Sequence, residues 1–258
     1  MQRHFDQDLA HLKQTLLRMG GLVESQIQQA LQALVDRDSD LAVDVIKQDH
    51  DVNALDVEID ELCIQLLALQ QPTARDLRFV TTGMKISSEL ERMGDLADNI
   101  AQRALELNGE PQLKPYIDIP RMANWTMRMV KDCLDAFVNS DPVLARKVCA
   151  DDDFVDEVNE QLFRELLSFM LEDTRTITRA IRLTFVAKSL ERIADHATNI
   201  AELVVYMVEG KNIRHVAPQR ACRCQNWPSS TSAPIPFIWS WRKCSRTTPT
   251  RSSTGSKT

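Results

Sequence analysis

Three carboxylates, Glu91, Asp95 and Asp98, stand at i, i+4 and i+7, the spacing that puts them on one face of a helix. One hundred residues later Glu191 and Asp195 repeat the first two, with Thr198 in the third place. A second row precedes each of these. Asp49, Asn53, Asp56 and Asp60 run at i, i+4, i+7 and i+11, and Asp152, Asp156 and Asn159 answer them at an offset of 103 residues. Like charges at i and i+4 repel by about 0.2–0.5 kcal/mol on an exposed helix. A row of them is therefore a cost unless something positive meets it. Where two such rows lie on neighbouring helices their oxygens converge, and an all-oxygen set suits Mg, Mn, Ca or carboxylate-held iron. Only His50 and His196 adjoin the rows, so carboxylate dominates the expected donor set. Acidic pairs are also common on solvated helix faces. Arg92 and Arg192 offer a further reading, in which they pair with Asp49, Asp56 or their counterparts and lock helices together. Asn99 and Asn199 read either as ligands or as hydrogen-bonding groups between helices.

These residues need long helices to position them, and the sequence supplies a duplicated set. Leu90 to Ala101 recurs as Leu190 to Ala201 with eight of twelve positions identical. The shared polar residues are Glu, Arg, Asp and Asn; packing alone accounts for the apolar ones. Ala33-Leu34-Val35 and Leu41-Ala42 likewise return as Ala136-Phe137-Val138 and Leu144-Ala145. Apolar residues at Leu41, Val45, Val52, Leu55, Ile59, Leu62, Leu66 and Leu69 step by three and four, the seam of a packed helix. Six helices are predicted, over roughly 4–35, 39–69, 73–108, 117–139, 142–171 and 174–210. Asp38-Ser39, Pro72-Thr73, Asp141-Pro142 and Asp173-Thr174 mark their starts. Short links force antiparallel neighbours, so the expected fold is all-α, two tandem three-helix bundles over 1–112 and 113–217. Gly94 and Ala97 beside the acidic stripe allow close helix approach.

Charge is uneven along the chain. Residues 1–218 hold 24 Lys and Arg against 37 acids, a net charge of −13. That excludes a nucleic-acid groove, which needs a basic face, and a Lys/Arg-rich membrane-surface helix. It also argues against direct anion binding. No apolar run is long enough to span a membrane and the N-terminus is not a signal peptide, so a cytoplasmic protein is expected. Cys63, Cys133 and Cys149 read as buried thiols, and the methionines, Met84, Met93, Met127 and Met129 among them, as packing. Neither a Gly-rich phosphate loop, a nucleophile elbow nor a His pattern for catalysis is present, so no enzyme activity is expected. Residues 218–258 change character, with seven basic residues, no acid, fourteen Ser or Thr and three Trp. They read as an irregular tail, either disordered or translated out of frame.

Several motifs in order resemble the PhoU family of phosphate-signalling regulators. They are Met19-Gly20-Gly21-Leu22-Val23-Glu24, Gln71-Pro72-Thr73-Ala74-Arg75-Asp76-Leu77-Arg78, Leu90-Glu91-Arg92-Met93-Gly94-Asp95, Met170-Leu171-Glu172-Asp173-Thr174-Arg175-Thr176-Ile177, Leu190-Glu191-Arg192-Ile193-Ala194-Asp195 and Arg214-His215-Val216. The resemblance covers residues 1 to about 217. It implies a homodimeric negative regulator of the phosphate-starvation regulon and of phosphate uptake. Such a regulator links a Pst-type phosphate ABC transporter to a PhoR-type sensor histidine kinase. It also implies metal (Fe, Zn, Mg or Mn) at paired acidic motifs: Glu91 with Asp95, Glu191 with Asp195, Asp152 with Asp156, and Asp49 with Asn53, where Asn departs from the family's Asp. A metal-free structural adaptor and a carboxylate-bridged metalloenzyme are the alternatives.

Overall fold

Six helices alternate direction, with starts that follow from local chemistry. The computed structural model describes residues 2–70, 72–211 and 213. The helices are α1 (Gln2–Val35), α2 (Ser39–Gln70), α3 (Ala74–Asn108), α4 (Asp118–Asn139), α5 (Pro142–Glu172) and α6 (Ile177–Glu209). Asp38 Oδ1 accepts from Leu41 N at 3.0 Å and begins α2. Asp141 accepts from Val143 N and Leu144 N, with Pro142 at the first helical position of α5. Ser140 takes a left-handed φ of 52° to close α4. Arg37, also left-handed, sends its guanidinium to the carbonyls of Asn108 and Glu110, both at 2.6 Å, covering the end of α3. Thr73 stands at the start of α3 as expected, with its hydroxyl donating to Asp76 rather than its oxygen capping a backbone N–H. One start differs from expectation. At the sixth helix Thr174–Thr176 form a 3-10 turn, and the α-helix proper begins at Ile177.

Helices α1, α2 and α3 pack on one another, as do α4, α5 and α6. The expected α2 seam is buried at Val45, Val52, Leu55, Ile59 and Leu66. Leu69 breaks the expectation: it is 74% exposed, one residue from the helix end, where the chain is already leaving the bundle. Met93 and Met129 are buried and Met84 and Met127 pack partly against the core. Cys63 and Cys133 are buried, but Cys149 is only half-buried. Burial pushes the Cys63 thiol up to about 12 and Cys149 up to about 11, so neither is poised as a nucleophile.

The two bundles join mainly through α3 against α6, with α1 against α4 beside them. Arg78 Nε donates to Met207 O, Glu89 meets His196, and Glu106 pairs with Arg182, so α3 and α6 cross antiparallel. The duplicated motif lies across this seam, and Met93, Gly94, Ala97, Ile193, Ala194 and Ala197 are buried in it or beside it. On the α1–α4 side a Cβ at Gly20 would sit 2.6 Å from Leu134 Cδ1, so this glycine is what allows the contact. Phe79 and Phe137 stack at 5.5 Å. The six helices belong to one compact unit, Met1–Val216. Gln71, Arg214-His215-Val216 and the tail reading for 218–258 lie outside the described residues.

Candidate functional site

In the first bundle the rows on α2 and α3 face each other. Asp49 Oδ2 accepts from Asn53 Nδ2 at 2.8 Å, while Asp49 Oδ1 is buried without a hydrogen-bond partner. That oxygen lies 3.8 Å from where a Cβ on Gly94 would stand, so the missing side chain is what opens the space between the helices. Asp98 is arranged in the same way: Oδ2 accepts from Gln102 at 2.7 Å and Oδ1 is buried and unpartnered. Asp56 is tied across to α3 by Ser87 Oγ, which donates to it at 2.6 Å. The carboxylates feel one another. Glu91 is raised above the ordinary carboxylate range by burial and then by Asp95, Asp56 and Asp49, against the opposing charge of Arg92. Asp95 is raised by burial and Asp49. Asp98 is raised by burial, Asp49 and Asp95, with Gln102 pulling the other way. Glu91, Asp95, Asp98 and Asp49 are thus brought together, and Asn53 is bonded to Asp49 at their edge.

The second bundle repeats the convergence on α5 and α6. Asp152 is pushed up to about 7 by burial, followed by Asp195, Asp156, Asp153 and Glu191. Asp195 is raised by burial, Glu191 and Asp156, partly offset by Lys188 and His196. Lys188 pairs directly with Glu191. Its counterpart in the first half is Ser88, so this pairing is private to the second bundle. The exposure of the two motifs matches closely: Glu91 and Glu191 are half-buried, and Asp95 and Asp195 exposed.

The helix-locking reading of Arg92 and Arg192 is corrected. Both are exposed and make no ion pair among the described residues. The bridge across the bundles is instead Glu89, which the repeat comparison passed over because Ser189 stands at its counterpart. Glu89 Oε2 meets His196 Nδ1 at 2.6 Å and accepts from Asn199 Nδ2 at 3.1 Å. Burial pushes Glu89 up, but the His196 and Asn199 hydrogen bonds, with the charges of His196 and Arg92, overcome it and hold the carboxyl below its ordinary value. His196 and Asn199 are therefore engaged in bundle docking. The signal available in sequence was a lone acid beside the motif together with His196 where the first copy has Leu96.

Similarity to known proteins bears on what this pair of carboxylate arrays belongs to. The PhoU domain family model matches residues 16–104 and 119–204, more than half the chain. The chain belongs to the PhoU family. It is 46% identical over 208 residues to a phosphate-specific transport system accessory protein PhoU homolog of Aquifex aeolicus, covering 81% of this chain and 94% of that one. It is 40% identical over 212 residues to phosphate-specific transport system accessory protein PhoU of Escherichia coli, covering 82% and 88%. The crystal structure of PhoU from Pseudomonas aeruginosa superposes with a TM-score of 0.78 at 41% identity, covering 80% of this chain and all of that one. The two matched segments are the two bundles, so this PhoU fold carries one carboxylate array per repeat.

The donors in these arrays are carboxylate and amide oxygens without thiolate, a set matched to hard cations. Two buried unpartnered oxygens, on Asp49 and Asp98, call for a donor or a cation. As the side chains stand, no three His, Cys, Asp or Glu among the described residues form a ready-made ligand group.

Proposed function

We propose that the chain is a regulator accessory to a phosphate-specific transport system. In this reading it lowers phosphate uptake and keeps the phosphate-starvation regulon off. It acts as an adaptor between a Pst-type ABC transporter and a PhoR-type sensor histidine kinase, and is cytoplasmic and homodimeric. Membership of a family whose named members are transport accessory proteins supports the transport role. None of the described helices is long and apolar enough to cross a membrane, which fits a protein that meets the transporter from outside the bilayer. Its role is binding rather than catalysis. A surface suited to protein partners runs along α5 and α6, where Phe163, Leu167 and Leu171 face out opposite Ile177, Ile181 and Phe185.

The observation that carries the mechanism is the facing of two mutually repelling carboxylate rows in each bundle. Asp49, Asn53, Glu91, Asp95 and Asp98 would hold a cation in the first, and Asp152, Asp156, Glu191 and Asp195 in the second. Such a cation, Mg, Mn, Fe or Zn, supplies positive charge that relieves the repulsion and fixes α2 on α3 and α5 on α6. The exposed Asp95 and Asp195 would turn inward to complete the set. Deleting the gene tests the regulatory reading: alkaline phosphatase expression in phosphate-rich medium is expected to rise and to return to its basal level when the intact gene is restored. Unchanged phosphatase expression would contradict it.

A further inference from the structure

The net acidity of the body hides a basic cavity. A cavity of about 540 Å³ opens where α3 begins and α4 and α6 end, lined among others by Lys13, Arg75, Arg78, Phe79 and Met207. Lys13 Nζ donates to Val138 O at 2.6 Å and Arg78 Nε to Met207 O at 3.4 Å, so among the described residues both bond only the carbonyl ends of helices. Arg75 is exposed and has no partner among the described residues. None of the three meets a carboxylate among the described residues; Asp76, the one acid among the described lining residues, is engaged by Thr73.

The other end of the α3–α6 seam shows what neutralisation would look like. There Arg179 and Arg182, in the first turns of α6, pair with Glu106 and Glu110 at the end of α3. At the 100-residue offset Glu106 and Glu110 correspond to Tyr206 and Gly210. Gly210 adjoins Arg78: a Cβ there would lie 4.0 Å from the guanidinium. One end of the seam therefore has carboxylates on its arginines; at the other the equivalent positions hold a tyrosine and a glycine, and the neighbouring Glu209 pairs with Arg146.

We propose that this cavity binds a phosphomonoester with an apolar or aromatic body. Three cations against one carboxylate leave a lining charge of about +2, which matches the −1.5 to −2 of a phosphomonoester at neutral pH. Two guanidiniums suit its oxygens as paired donors. Leu9, Phe79, Met207 and Val208 give an apolar wall for the organic part. The volume is within the range of small-molecule sites and far larger than orthophosphate fills. The inference needs neither the cation arrays nor the transport role.

The test uses the full chain and equilibrium dialysis with adenosine 5′-monophosphate, phenyl phosphate and glycerol 3-phosphate, each beside its dephosphorylated counterpart. Orthophosphate and phosphatidic acid vesicles form two further arms. At least one phosphomonoester is expected to bind saturably, about tenfold or more tighter than its dephosphorylated form and than orthophosphate. Arg75→Glu, a change at an exposed and unpartnered side chain, is expected to weaken it by about tenfold or more, while Arg164→Ala on exposed α5 leaves it unchanged. Folding of Arg75→Glu is checked by its melting temperature. The proposal is overturned by an absence of saturable binding in all three esters, by equal binding of the dephosphorylated forms, or by binding that Arg75→Glu does not weaken. Binding to the vesicles alone would also overturn it and assign the cavity to a lipid headgroup.

Discussion

Replacing Asp152 with Asn removes the carboxylate whose ionisation the fold opposes most visibly. In the folded protein Asp152 holds its proton up to about pH 7 because of burial and the surrounding Asp195, Asp156, Asp153 and Glu191; in the unfolded chain it loses it near 3.9. The native state therefore binds more protons than the unfolded state between those values, and its stability falls as pH rises from about 4 to about 7, then levels off. Linkage over that interval is worth about 4 kcal/mol for a fully shielded group. Water reaches this half-buried side chain and screens it, leaving about 1–2 kcal/mol. Asp152→Asn should thus stabilise the chelated protein at pH 8.5 by about 1–2 kcal/mol, a melting-temperature gain of about 2–8 °C for a body of this size. At pH 4, where Asp152 is protonated in the folded protein, nearly isosteric with Asn, and about half protonated in the unfolded chain, the gain should fall to within about 0.5 kcal/mol. Thermal unfolding followed by circular dichroism in excess chelator at both pH values measures this. A gain independent of pH, or a loss at pH 8.5, would refute the reasoning that the array is held at electrostatic cost.

Three further outcomes follow from other contacts. Glu89→Ala leaves His196 and Asn199 facing a gap between the bundles and should cost about 1–3 kcal/mol, read by urea unfolding. Asp141→Ala removes the acceptor for Val143 N and Leu144 N at the start of α5 and should cost about 1 kcal/mol, a modest fall in melting temperature with metal binding intact. Gly20→Val drives a branched side chain into Leu134 between α1 and α4 and should cost about 1–3 kcal/mol, seen as a lower denaturant midpoint.

The helices were readable because apolar spacing and caps act locally. Asp38 and Asp141 cap where their types predict, and Val52, Leu55 and Ile59 are buried where their period predicts. Duplication in the sequence was enough to place Glu91 near Asp49, and Glu191 and Asp195 near Asp152, because equivalent helices in two copies pack alike. What could not be read arises where the copies differ or meet. Glu89 has no counterpart to draw attention to it, and its partners come from the other repeat. Lys188 stands where the first copy has a serine and offsets part of the charge of only one array. Bulk charge argued against an anion site, yet charge acts through distance, and Lys13, Arg75 and Arg78 collect at one end of the seam from two packed helices that are well separated in sequence.

The central claim, that each bundle's facing carboxylate rows hold cations, is most directly tested by metal content. The full chain, purified after incubation with Mn²⁺ and passage through a desalting column, is compared with Glu91→Ala/Asp95→Ala, with Glu191→Ala/Asp195→Ala and with the fourfold variant by plasma mass spectrometry. The account predicts bound metal in the parent, a partial loss in each double variant, none in the fourfold one, and a melting temperature that chelator lowers only where metal is retained. A parent without metal and without any response to chelator, or a fourfold variant that keeps the parent's metal, would contradict it.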